Sequence, residues 1–208
     1  MTAALLTLAD SRLPAGGHTH SGGVEQAIAA GVVHDPGSLA TFLRRRLVTA
    51  GAVAAGLAAA ACAGEDLAFL DAEADARTPS PALRAASRQQ GRGLVRVGRR
   101  AWPSGAWDAL PAQPHHPVAL GVAAAASGLT PRDASQAAAY LSVSGPATAA
   151  QRLLAMDPLT VAAVTARLAP EIDAVAGSAT GELPAATDPL LDLLAEVHAA
   201  RTDRYFAS

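Results

Sequence analysis

Alanine dominates the apolar half of this 208-residue chain, in runs such as Ala58–Ala61 and Ala123–Ala126, while aromatic residues make up only 3%. Alanine is the strongest intrinsic helix former, and the β-branched and aromatic residues that favour strands are sparse. The expected fold class is therefore all-α. With 50% hydrophobic against 16% charged residues, the chain can bury a sizeable core, and its length suits one domain.

Capping and breaking residues divide the chain into eight to ten expected helices, packed as a helical bundle over residues 1–208. Met1–Ala9 reads as a short apolar helix stopped by Asp10-Ser11-Arg12-Leu13-Pro14. A loop with two glycine pairs follows, and Ser21 is expected to cap a helix over Gly22–Ala30 that Gly31 ends. Asp35-Pro36 opens a helix carrying Leu39, Phe42, Leu43 and Leu47 at helical spacing, with Arg44-Arg45-Arg46 towards its end. It leads into Val48–Ala63, which is almost uncharged but shorter than the roughly 20 residues of a membrane span, so a buried helix is expected. Glu65–Asp75 reads as a short acidic helix. Pro79 or Pro81 starts a long basic one reaching Trp102, and Trp102–Pro117 is a loop rich in proline. The last expected helices are Val118–Ser127, Pro131–Ala155 (kinked at Pro146), Pro158–Ala179 and Asp188–Phe206, the last capped by Asp188 and burying Leu190, Leu191, Leu194 and Val197 on one face.

Every one of the 16 basic residues is arginine, and the net charge of −2 argues against nucleic acid as the main partner. Without lysine the chain has no phosphate-binding loop of the GxxxxGK[ST] type, and HExxH, paired CxxC and GxSxG are missing too. No enzyme and no bound cofactor is expected. Cys62, the single cysteine, allows no disulfide within the chain, and its alanine-rich setting reads as a buried structural thiol. No basic segment of a signal peptide opens the sequence, so a cytoplasmic location is expected.

Metal ligation has one candidate. His18 and His20 flank Thr19, and in an extended segment both imidazoles project to one side. Two ligands bind weakly, so a third such as His34, or a second chain, would be required. His115-His116, between two prolines, reads mainly as loop chemistry.

The run Leu8-Ala9-Asp10-Ser11-Arg12-Leu13-Pro14-Ala15-Gly16-Gly17-His18-Thr19-His20-Ser21-Gly22-Gly23-Val24-Glu25 resembles the opening signature of the UreF family, LAxSxLPxGGaxxxSxGLE, where "a" is usually aromatic. Arg84, Ser87, Gly91 and Leu94 resemble that family's central helix, and His115–Gly121 the stretch after it. The ending His198–Ser208 is similar to HExxxxRLFxS. The sequence departs from the pattern at His18, at Ala199 in place of glutamate, and at Ala155-Met156-Asp157-Pro158, where many relatives have a PLGQ-like turn.

The resemblance implies a helical, usually dimeric urease accessory protein. It would act as a scaffold with a UreD/UreH-type protein and the GTPase UreG to insert nickel into apo-urease, away from membranes. The alternative is a metallochaperone binding nickel itself through His18 and His20. Partner contacts are expected at Gly16, Gly17, His20, Ser21 and Glu25, with a positive φ at Gly16 or Gly17 and a buried or interfacial hydrogen bond at Glu25. They are also expected on the arginine face of the basic helix (Arg88, Arg92) and in the helix and tail 188–208, at Arg204, Tyr205, Phe206 and Ser208.

Overall fold

A computed structural model describes residues 2–10, 13–15 and 17–208; the side chain of His18 lies outside that description. The elements are α1 (Ala3–Ala9), α2 (Val24–Ala29), α3 (Pro36–Arg46), α4 (Ala52–Ala63), α5 (Leu67–Ala76), α6 (Pro81–Ala101), α7 (His116–Ala126), α8 (Pro131–Leu153), α9 (Pro158–Arg167), α10 (Ala169–Ser178) and α11 (Pro189–Ala200). A π turn, Leu47–Gly51, joins α3 to α4, and α9 meets α10 at Leu168. No strand occurs among the described residues, as an alanine-based chain predicts.

Local signals explain most of the starts. Asp35 forms a reciprocal capping box with Ser38, Ser80 accepts from Leu83 N, and Thr130 and Asp133 form a second box. Proline follows each cap in the first turn. Gly31, at φ +72°, ends α2 as expected. Ser21 is not the N-cap of that helix. Gly23 is, and Ser21 instead bonds Glu25 N at 3.4 Å.

The centre is α4 packed between α7 and α8. Its stripe Ala55, Ala58, Ala59 is buried, and small side chains let the helices approach closely. At Gly121 of α7 a Cβ would collide with the Ala58 carbonyl and the Ala61 methyl, so only glycine fits there. The rod Pro36–Ala63, 28 residues, is long and apolar enough to cross a membrane by length and composition. Here its α4 portion forms the core of the bundle, with eight buried residues. Cys62 is half-buried and not buried as expected: its Sγ lies 3.5 Å from Leu129 O, and burial pushes the thiol pKa up to about 11.

Pro146 sits inside α8, which continues beyond it to Leu153. A proline at this position supplies no N–H for the carbonyl four residues back, that of Ser142. The Arg46 guanidinium takes over that role, donating from Nε to Ser142 O at 3.1 Å. Burial lowers Arg46 to about 10, still far above neutrality, so the donor stays charged.

Candidate partner-docking site

The C-terminal segment departs from expectation first. The helix expected over Asp188–Phe206 ends at Ala200, and the remaining residues turn back across the loop before α2. The cause is non-local. Glu25, 4% exposed, needs partners for a buried carboxylate, and the tail backbone supplies them. Tyr205 N donates to Oε1 at 2.7 Å, Phe206 N to Oε2 at 3.0 Å, and His198 Nε2 to Oε2 at 2.9 Å. Burial alone would raise the Glu25 carboxyl, but these donors outweigh it and hold the group below the usual carboxylate range.

The clasp continues to Ser208. Ala207 N donates to Thr19 O at 2.7 Å, Ser21 N donates to the main-chain oxygen of Ser208, and His20 Nδ1 lies 2.6 Å from Ser208 Oγ. Arg201 braces the turn through Asp203 at 3.0 Å and Gln26 at 3.1 Å. His20, Ser21, Glu25, Tyr205, Phe206 and Ser208 are thus brought together. Phe206 is half-buried against the protein's own core, while Arg204 and Tyr205 are exposed, Tyr205 at 85%.

On α11 the expected apolar face splits. Leu191 and Leu194 are buried and Leu190 is half-buried, but Val197, expected to be buried with them, is 51% exposed beside Leu193 at 65%. One helical turn separates these two side chains, so they share a solvent-facing side. Asp188 caps α11 as expected and also pairs with Arg45 at 2.8 Å.

The glycines need a correction. Gly17 does not adopt a positive φ, and Gly16 lies outside the described residues. The left-handed pair is Gly22 (φ +61°) and Gly23 (φ +89°). A Cβ on Gly22 would sit 2.7 Å from the Pro146 ring and 3.3 Å from the Arg46 guanidinium, so the loop leans on the same arginine that mends α8.

The arginine face is also narrower than expected. Arg88 turns inward, donating to Asp71 Oδ2 at 2.9 Å and Asp75 Oδ2 at 2.6 Å. It belongs to a network that sequence reasoning missed, because His115 is no loop residue but a buried side chain at the start of α7. Its Nε2 faces Asp75 Oδ1 at 2.8 Å, its Nδ1 faces Ser87 Oγ at 3.0 Å, and its backbone N donates to Asp71 at 2.7 Å. Burial lowers its pKa, Asp75 opposing, so the neutral ring donates to Asp75 and accepts from Ser87. Gly91 lets this turn lie directly on α6, because a Cβ there would strike the Pro114 carbonyl. Serine, histidine and aspartate in contact resemble a hydrolytic triad, but Ser87 Oγ also takes the His116 N–H at 3.2 Å and the imidazole is 1% exposed. The trio fastens α5, α6 and α7 together.

No group of three or more His, Cys, Asp or Glu side chains arranged to hold a metal occurs among the described residues. His20 has Nδ1 committed to Ser208, and His34 is exposed, beside Asp35 at 3.8 Å.

Residues 33–169 match the UreF family model. Among curated proteins, the urease accessory protein UreF of Mycolicibacterium vanbaalenii is 54% identical over 213 residues, spanning 99% of this chain and 98% of the relative. The protein of the same name from Mycobacterium sp. strain JLS is 54% identical over 205 residues, covering 98% and 97%. That of Mycobacterium tuberculosis H37Rv is 50% identical over 208 residues, covering 99% and 98%. With both ends and the middle of the molecule matched, the chain belongs to the UreF family of urease accessory proteins.

Proposed function

We propose that this protein is a non-enzymatic scaffold for urease maturation. It assembles, as a homodimer in the cytoplasm, with a UreD/UreH-type protein and the GTPase UreG, and the complex inserts nickel into apo-urease. The observation that carries the reading is the clasped tail: a rigid support for an outward-facing Tyr205, with the exposed Leu193 and Val197 on the helix that leads into it. An aromatic residue held still by its backbone loses little freedom on binding, which is what an interface anchor requires. A nickel-binding role through His18 and His20 gains no comparable support, since His20 is buried and engaged with the tail.

Deleting Arg204–Ser208 would strip Glu25 of two backbone donors and should destabilise the fold as well as remove the docking element. Tyr205→Ala separates the two effects, since its backbone bond survives. It should weaken capture of the UreD/UreH-type partner by about 2 kcal/mol, roughly thirtyfold, with an unchanged circular dichroism melt. Undiminished capture rules out the tail as the docking element. Urease activation with purified accessory proteins, this chain present or omitted, with nickel content read directly, tests the wider reading.

A further inference from the structure

Helix α6 carries Arg84, Arg88, Arg92, Arg96, Arg99 and Arg100 and no carboxylate, in a chain whose acidic residues outnumber its basic ones, 18 to 16. The first two point into the fold: Arg88 to Asp71 and Asp75, and Arg84 to the carbonyls of Thr78 and Pro79. Arg99 pairs with Asp108 at 2.7 Å. Beyond these, internal acceptors run out. Among the described residues, Arg92 reaches only the neutral side chain of Gln113, at 2.8 Å, and the exposed Arg96 and Arg100 have no hydrogen bond or ion pair.

Arg92, Arg96 and Arg100 recur at four-residue steps, so three like charges share one face and repel one another. Arg92 and Arg96 also stand between two cavities. One, about 240 Å³, has Val95, Trp107, Leu110 and Pro111 in its wall; the other, about 350 Å³, has Thr19, His20 and Gln89.

We propose that this face binds an acidic protein segment in extended conformation, with carboxylates at alternate residues. The spacing selects that partner. Side chains four residues apart on a helix are set about 6 Å apart along its axis, and same-side residues of an extended strand about 6.6 Å apart. Each guanidinium can then meet one carboxylate as a planar, forked pair. A longer polyanion running towards the N-terminus of α6 meets the partly exposed Asp75 carboxylate of α5, so nucleic acid fits less well. The three arginines are distinct from Tyr205, although Thr19 and His20 in one cavity wall also hold the tail, so arginine and Tyr205 variants can fail separately.

The test uses the full-length protein and a fluorescent peptide of alternating glutamate and alanine, with the same composition arranged as one glutamate block for comparison. Anisotropy should show the alternating peptide binding roughly tenfold more tightly, and the difference should shrink with salt. Arg96→Glu combined with Arg100→Glu should abolish binding. Arg132→Glu, an exposed charge on another helix, and Tyr205→Ala should leave it intact. Equal affinity for both peptides, persistence in the double variant, or tighter binding of a single-stranded oligothymidylate would overturn the proposal.

Discussion

Glu25 joins the beginning of the molecule to its end, and its substitution has an unusually specific expected outcome. Glu25→Gln keeps the shape but points an amide N–H₂ at one of the two backbone donors, costing about 1–3 kcal/mol. Glu25→Ala should cost more, and in both variants limited proteolysis should release the tail before the bundle melts. The Glu25 carboxyl is held below its unfolded value, so its contribution is complete above the unfolded pKa of about 4.3 and disappears as pH falls through the folded value. Tail protection against protease should therefore fail in acid, below roughly pH 4. Gly22→Ala is the companion experiment: positive φ and contact with Pro146 both oppose it, whereas Gly17→Ala meets no neighbour and should be mild. The sequence signalled the importance of this loop and of Glu25 through the family-like pattern. It did not signal which glycine pair bends backwards, because the deciding neighbour, Pro146, belongs to a helix far along the chain.

Helix α8 shows how an element can carry a break without ending. Its proline was legible, and so was the missing N–H, but the substitute donor was not, since Arg46 looked like one of three similar arginines at the end of α3. Arg44 and Arg45 pair with Glu171 and Asp188, the former on an exposed surface where such pairs contribute little. Arg46→Met should cost about 1–3 kcal/mol in thermal unfolding, while the same change in a Pro146→Ala background should cost much less, because the helix then supplies its own N–H. Additive costs in that double-mutant cycle would show that Arg46 does not serve the Ser142 carbonyl. Helix starts were readable where a cap and a proline coincide, as at Asp35 and Asp188; for α6 the sequence left Pro79 or Pro81 open, and the Ser80 cap decides for Pro81. The end of α11 was not. Nothing local stops a helix at Ala200; the requirement of Glu25 for backbone donors does.

For the molecule as a whole, three histidines set the expected response to pH. His20, His115 and His116 all lie below the ordinary imidazole value, burial being the main cause in each, and His116 is lowered to about 4. The unfolded chain therefore gains protons first, and stability, complete above about pH 6.5, should decline as pH falls from there towards the folded values. Melting temperatures measured from pH 7 to pH 5 should drop, and His116→Gln should flatten the slope. The clasp between tail and loop has a mechanical consequence at the same scale. Load applied at Tyr205 is not dissipated in a loose strand but passes through Glu25 to the first turn of α2. From there it reaches Gly22, which bears on Pro146 and Arg46. A pull on the tail is thus a pull on the long helices of the core, so force at Tyr205 and strain in the bundle are transmitted along one short, stiff path.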